Sequence, residues 1–464
     1  MLTYQDLAAL QTEQARVQFI KSAITEHRGS AAYRTAQDAE EYLAQRNVTI
    51  SKYQKLLYDL KGNAHPDRFT ANHKCKSSFF KRFVIQQTAY LLGNGVSFEK
   101  ENVKKALGAD FDQRLYEIGK SALVQGCAFG FFDNDHVQMF SLTEFVPLYD
   151  EEDGTLKVGI RFWQLDATKP LRVTLFETDG VTEYIDRQDD AGLVVLQEKR
   201  AYIIKERSSK ADGVEIYGGR NYPAFPIVPL YANEARQSEL VGLRENIDCY
   251  DLIKSGFAND LDDASFIYWT LENAGGMGDM DLAKFVERMK TLRAAVVDGD
   301  EGSKATAHTM DVPYQSREAY LTRLRDDMYE DFMALNTAQI AAGNVTATQI
   351  NAAYEPMDNK ADEFELRVID FIQGILRVAG LDGMPTFKRS RIVNRQEETQ
   401  MVLSAADYLD DETMLRKLPF LTEDEVDGIL QRKDAEEAER MPAASPIEIG
   451  KDAFEALSAV PTVI

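Results

Sequence analysis

From residue 239 to 271 the chain has no proline, and apolar residues return every three or four positions: Leu240, Leu243, Ile247, Tyr250, Ile253, Phe257, Leu261, Ala264, Tyr268 and Leu271. That spacing holds one apolar stripe on one helix face. It predicts a single helix, roughly 50 Å long at about 1.5 Å per residue. Glu245, Asp248, Asp251, Asp260 and Asp262 fall on the remaining, solvated surface. A second helix is predicted over 316–335, with Ser316 as its N-cap and charges of both signs interleaved along it. Between them, Gly275-Gly276-Met277-Gly278 and Pro313 bracket a small insert, predicted to hold a helix over 280–289 and strands over 292–297 and 305–310. Two long helices carrying a small insert away from a body make a stalk with a tip.

The flanking segments differ in character. Residues 1–60 read as mostly helical, and further helices are predicted over 77–92, stopped by Gly93-Asn94-Gly95, and over 111–125, stopped by Gly126. From 127 to 232 short apolar runs (129–132, 137–140, 158–163, 172–176, 193–196, 202–205 and 227–231) alternate with turn signals such as Asp153-Gly154 and Asp179-Gly180. That pattern predicts an antiparallel meander, so 26–232 reads as one α+β domain. After the second long helix come a small, polar stretch around Gly343-Asn344 and a helix over 346–378 with Pro356 as a kink. A strand over 387–393 is expected to return to the 127–232 sheet. Residues 395–440 read as helical and acidic, with 14 Asp and Glu against 6 Lys and Arg, and 441–464 as loosely ordered.

The charge balance narrows the function. With 53 Lys and Arg against 76 Asp and Glu, the net charge is −23. A protein that grips DNA by neutralising phosphates needs a basic surface, so that class is disfavoured. A protein that touches DNA without holding it is not. Three scattered cysteines, Cys75, Cys127 and Cys249, indicate reduced thiols, and no signal peptide or membrane-length apolar run is present. There is no phosphate-binding loop, nucleophile elbow or zinc motif. His27, His65, His73, His136 and His308 match no ligand spacing, and Asp133-Asn134-Asp135 reads as a hairpin turn rather than a calcium loop.

Four segments carry a resemblance. They are Phe79 to Phe98, reading FFKRFVIQQTAYLLGNGVSF; Ala122-Leu123-Val124-Gln125-Gly126-Cys127-Ala128-Phe129 with Glu144-Phe145-Val146-Pro147-Leu148-Tyr149-Asp150; Phe225-Pro226-Ile227-Val228-Pro229-Leu230, Asn233-Glu234 and Glu245-Asn246-Ile247-Asp248-Cys249-Tyr250-Asp251; and Phe387-Lys388-Arg389-Ser390-Arg391-Ile392-Val393-Asn394. In this order they resemble the portal proteins of tailed bacteriophages, of the type found in long-tailed phages of Gram-positive hosts. The family often opens the helix after its tunnel loop with Ser-Gly, where this chain has Thr346-Ala347-Thr348.

The resemblance implies an α+β portal-protein fold: an N-terminal arm (1–25), an α/β wing (26–236), two stem helices (237–271 and 314–337), an α/β clip (272–313), a tunnel loop (338–348), a long helix and returning strand (349–394), a helical crown (395–440) and a flexible tail (441–464). It implies a ring of about twelve copies closed head to tail, set at the capsid vertex of the virion and made in the host bacterial cytoplasm. Double-stranded DNA passes through such a ring during packaging and ejection without sequence specificity. The implied partners are the terminase large subunit, a head–tail adaptor, and the major capsid and scaffolding proteins, with no membrane, cofactor, metal or catalytic residue. In that frame Glu318, Arg325, Asp327, Glu330 and Asp331 are the candidates for lining the channel, with Arg317, Arg323 and Arg325 pairing between subunits. Ala341, Ala342, Gly343, Asn344, Val345 and Thr346 form the tunnel loop. Met289, Arg293, Asp298, Asp300, Lys304 and His308 form the docking surface of the clip. The alternative from another class is a metal-dependent nuclease or phosphotransferase using Asp260, Asp262 and Asp263, against which stands the lack of a nearby histidine in sequence. A coiled-coil scaffold is disfavoured by the β-rich segment.

Overall fold

The strand-and-turn punctuation of residues 127–232 builds three antiparallel sheets rather than one meander. The computed structural model describes residues 2–58, 61–68, 70–187, 192–209, 215–264, 268–272, 304–308, 313–341, 347–391, 395–418 and 423–440, with a few isolated positions besides. In the first sheet five consecutive strands run up and down: Phe145–Tyr149, Leu156–Trp163, Leu171–Glu177, Gly180–Asp186 and Leu193–Arg200. Phe145–Tyr149 contains Pro147 and lies at the sheet edge, where a missing N–H is tolerated. The second sheet sets Cys127–Asp133 between His136–Ser141 and Ile227–Tyr231, and the third pairs Ile203–Ser209 with Glu215–Arg220. Asp133-Asn134-Asp135 does turn a hairpin, with Asn134 at φ +59°.

Burial explains how these layers stack. The helix Glu13–Gly29 lays Phe19, Ile20, Ala23 and Ile24 against Val146, Leu148, Val158, Ile160 and Phe162 of the five-stranded sheet. Phenylalanines fill the space between the first two sheets, with the rings of Phe129 and Phe145 4.4 Å apart and those of Phe131 and Phe176 5.2 Å apart. The largest core gathers the helices Phe79–Leu92, Phe111–Gln125 and Ala347–Ala379. Along the last of these, Phe364, Val368, Phe371, Ile372 and Ile375 recur at helical spacing and are all buried. This helix runs continuously through Pro356.

Several expectations are corrected. Helices do occupy the N-terminal region (Tyr4–Ala8, Glu13–Gly29, Ala31–Leu43, Val48–Lys52), but a hairpin of Leu56–Tyr58 and Ala64–Pro66 follows. The stretch 239–271 is not one helix. Its helix runs from Arg244 to Asp263, and Tyr268–Glu272 is a strand paired with Lys304–His308. Gly242 at φ +85° breaks the first turn, and Tyr268, Trp269 and Thr270 prefer extended backbone once a partner strand is at hand. The predicted 292–297 strand lies outside the described residues. The late strand is Pro385–Phe387, and it pairs with Val96–Phe98 rather than with the 127–232 sheets.

The chain divides into two compact units. Residues 1–344 and 350–390 form the first. Residues 345–349 and 391–464 form the second, in which the helices Arg395–Ser404, Asp411–Lys417 and Glu423–Arg440 are described. Arg416 there bridges Asp427 at 3.1 Å, and Val402, Leu418 and Val426 are buried. Among the described residues no helix is long and apolar enough to cross a membrane.

Candidate functional site: the paired helices and their junction

The helices Arg244–Asp263 and Tyr314–Asp331 pack antiparallel. Asn246 donates to the Asp331 carboxylate at 3.1 Å near one end, and Arg317 pairs with Asp260 near the other. The first helix carries two stripes. One is the predicted apolar stripe. The second is polar and was read from sequence as solvated, yet it grips another part of the chain. Asp248 accepts from Tyr42 and, at 2.6 Å, from Thr49. Asp251 accepts from Asn47 and, at 2.8 Å, from the Ser77 backbone. Ser255 and Asn259 accept the Cys75 and His73 backbone N–H groups at 2.9 and 2.7 Å, and His73 Nε2 lies 2.7 Å from Asp262. The spacing of three and four puts all five on one face. Extended residues 73–77 have no sheet to satisfy their backbone, so the helix side chains do it.

Asp251 is fully buried, and burial pushes its carboxyl up, against the pull of the donors from Asn47 and Ser77. Its folded pKa therefore lies above the unfolded value near 3.9. The folded state binds the extra proton, so this group adds stability as pH falls through the folded pKa, opposite to a salt-bridged Asp. Urea unfolding of wild type and Asp251→Asn across pH 7 to 4.5 should show wild type gaining on the variant as pH drops. A gap that stays constant or closes contradicts this account.

The second helix starts differently from expectation. Pro313 precedes its first residue, and Ser316 donates to the Pro313 carbonyl at 3.1 Å instead of capping. Proline at this boundary supplies a fixed φ and needs no N–H partner, so the start does not depend on Ser316. Leu324, Met328 and Tyr329 are its buried residues. At about 100° per residue, Glu318 and Arg325 fall within roughly 20° of each other at the edge of that buried face. Asp327 and Glu330 fall on the other side, with Glu330 pointing directly away from the core, while Asp331 lies about 20° from the buried Leu324 and accepts from Asn246. One helix face therefore does not present all five predicted lining residues. The arginines pair within the chain: Arg317 with Asp260, Arg323 with Asp327 at 3.7 Å, and Arg325 with Asp326 at 3.2 Å.

The far end of this helix is a junction that the sequence did not reveal. Met333, at φ +59°, reverses the chain, and Ala334 N–H returns to the Tyr329 carbonyl at 2.9 Å. Lys360, from the long helix, donates to the Phe332 carbonyl at 3.1 Å and lies over the Phe332 ring at 3.4 Å. It also pairs at 2.6 Å with Glu239, just ahead of the first helix. Burial lowers the Lys360 pKa, and Glu239 opposes that shift. Glu239 N–H in turn donates to the Leu123 carbonyl at 3.0 Å. One cation thus ties the body, the entrance of one helix and the exit of the other. A similar knot lies farther along, where Arg389 meets Asp358 at 3.0 Å, Glu365 at 2.9 Å and Asp362. The i, i+4, i+7 spacing of those acids was a readable signal; their partner was not.

Of the predicted tunnel loop, Ala341 ends the short helix Thr337–Ala341, while Ala342, Gly343, Asn344, Val345 and Thr346 lie outside the described residues. So do Met289, Arg293, Asp298 and Asp300. Lys304 and His308 sit at the two ends of a strand, opposite Glu272 and Tyr268. Two carboxylates of the nuclease alternative are engaged in structural pairs, Asp260 with Arg317 and Asp262 with His73, so a histidine does stand beside them. Among the described residues no three His, Cys, Asp or Glu side chains gather as a metal site.

With this architecture in place, the comparisons decide the family. The model of the phage portal proteins of the SPP1 Gp6-like type matches residues 27–443. The chain belongs to this portal family. The portal protein of Clostridium phage phiCD119 is 26% identical over 402 residues, covering 80% of this chain and 84% of that protein. The portal protein of Bacillus phage SPP1 is 25% identical over 409 residues, covering 81% and 79%. Among solved structures, a chain in the neck of an empty gene transfer agent particle matches with a TM-score of 0.41 at 10% identity, covering 74% of this chain and 90% of that one. This portal chain is a structural component of a virion, and its family identity sets it apart from enzymes.

Proposed function

We propose that about twelve copies of this chain close head to tail into a ring, and that duplex DNA crosses the ring along a channel walled by the helix Tyr314–Asp331. The family match over 27–443 carries this reading. The helix pair is the stem, the segment 272–313 the clip that meets the terminase large subunit and later the head–tail adaptor, and 338–348 the tunnel loop. Residues 26–236 form the wing, and 395–440 the crown inside the head.

The wheel positions divide the labour on the second helix. Asp327 and Glu330 face the channel, while Glu318 and Arg325 lie toward one flank and Asp331, bonded to Asn246, toward the other. A conduit must not hold its cargo. Each phosphate neutralised by a lining cation would add counterion-release affinity and slow sliding. Acidic side chains on the free face keep the duplex near the axis.

Mass photometry of the purified chain should show a particle of about 630 kDa, from about twelve copies of a 52.3 kDa chain. A monomer or dimer at every concentration would remove the ring. Replacing Asp327 and Glu330 together by Lys should leave the ring intact and reduce packaging of DNA into heads. Unaltered packaging would take these residues out of the channel.

A further inference from the structure

The hairpin of Leu56–Tyr58 and Ala64–Pro66 gathers exposed apolar side chains close together. Leu56, Leu57 and Tyr58 are 45%, 44% and 69% exposed, and the preceding Tyr53 is 44% exposed. Successive strand residues point to opposite faces, so Leu57 lies on one face and Leu56 and Tyr58 on the other. Both faces are left exposed among the described residues. A two-stranded hairpin is marginal in water by itself, and four large apolar side chains within six residues mark a surface with a partner.

Its mounting is firm. Just before it, Thr49 is bonded to Asp248; just after it, residues 73–77 are bonded along the same helix by Asp251, Ser255 and Asn259. The Asp67 N–H closes the base onto the Lys55 carbonyl at 2.8 Å. The hairpin is thus presented from the stem by a latch on each side.

Its charge is also out of character. Between Lys52 and Lys76 the chain carries six Lys and Arg against two Asp, a net +4 in a chain at −23, which leaves −27 over all other residues. We infer that this basic, apolar hairpin seats on the acidic surface of a second copy of the chain, the next subunit of the ring. The inference rests on the ring reading. In a head-to-tail ring each subunit meets its neighbours through two different surfaces, so a projection on one flank needs a complementary face only on the other. Duplex DNA would match the positive charge but offers no apolar surface for Leu56, Leu57 and Tyr58. A neighbouring copy offers both acids and apolar groups.

Two variants test this. Leu57→Asp with Tyr58→Asp, checked for native fold by circular dichroism, should raise the protein concentration for half-assembly at least about tenfold, read by mass photometry on dilution. In the Leu57→Cys variant, maleimide uptake at position 57, read by peptide mass, should be fast below the assembly concentration and suppressed in rings. Rings in which position 57 reacts freely, or rings of the double variant that resist dilution like wild type, overturn the hairpin contact and leave the ring standing. Protection that appears only on adding duplex DNA overturns it in favour of nucleic acid. A wild-type chain that never assembles overturns both readings.

Discussion

Replacing Lys360 by Met should lower the unfolding free energy by about 3–5 kcal/mol, the usual cost of stranding one member of a buried ion pair. The side chains of Lys360 and Glu239 are only 17% and 12% exposed, so solvent does little to compensate the carboxylate left behind. Glu239 keeps a donor from Asn233 at 3.0 Å, which holds it in place but does not neutralise it. The loss also removes the donor to the Phe332 carbonyl, at a helix end whose turn is already made by a non-glycine residue at positive φ. Adding Glu239→Gln should recover a good part of the stability, because the stranded charge goes with it. Urea unfolding of the two single variants and the double variant measures this. A loss under about 1 kcal/mol for Lys360→Met, or no coupling in the cycle, would show that the pair is solvated in the assembled protein.

What the sequence made legible was what its chemistry decides locally. The helix Phe111–Gln125 and its stop at Gly126 follow from periodicity plus one glycine, and both stand where expected. Most strands between 127 and 231 were announced by their turns. Their division into three sheets was not, because pairing partners are chosen by packing between distant residues: Phe131 and Phe140 lie in one sheet, and Phe176, against which both pack, in another. The Phe145–Tyr149 and Gly180–Asp186 strands were passed over for similar reasons, the first disguised by Pro147 and the second by its mixed polar residues. On the helix pair, charge was mistaken for exposure. Asp251 has the pattern of a surface residue and is buried only because Asn47 and Ser77, far away in sequence, come to it. The acids of the second helix were legible as a group, but dividing them between its sides required the buried positions Leu324, Met328 and Tyr329. Lys360 carried no signal, since a lone lysine in a helix reads as solvent-facing until the carbonyl and carboxylate that it bridges are known.

Gly126→Ala should cost at least about 3 kcal/mol, since two independent penalties add at that residue. Gly126 sits at φ +89°, and a β-carbon there would stand 2.8 Å from the Gln237 carbonyl carbon and 2.9 Å from the Arg236 oxygen. Both are backbone atoms, so no side chain can swing away, and the strap 232–239 must shift as a whole. Gly242→Ala separates the two penalties. Gly242 has nearly the same φ, +85°, but nothing within 4 Å of the added carbon, so it should show only the conformational cost of about 1–2 kcal/mol. Equal losses at the two sites would mean that the strap yields freely. The position matters because the Ala232 N–H donates to the Gly126 carbonyl and the Glu239 N–H to the Leu123 carbonyl, both at 3.0 Å. Moving the strap drags Glu239 away from Lys360. The Gly126→Ala and Lys360→Met losses should therefore sum to less than expected when combined, because each breaks the same tie between the body and the helix pair.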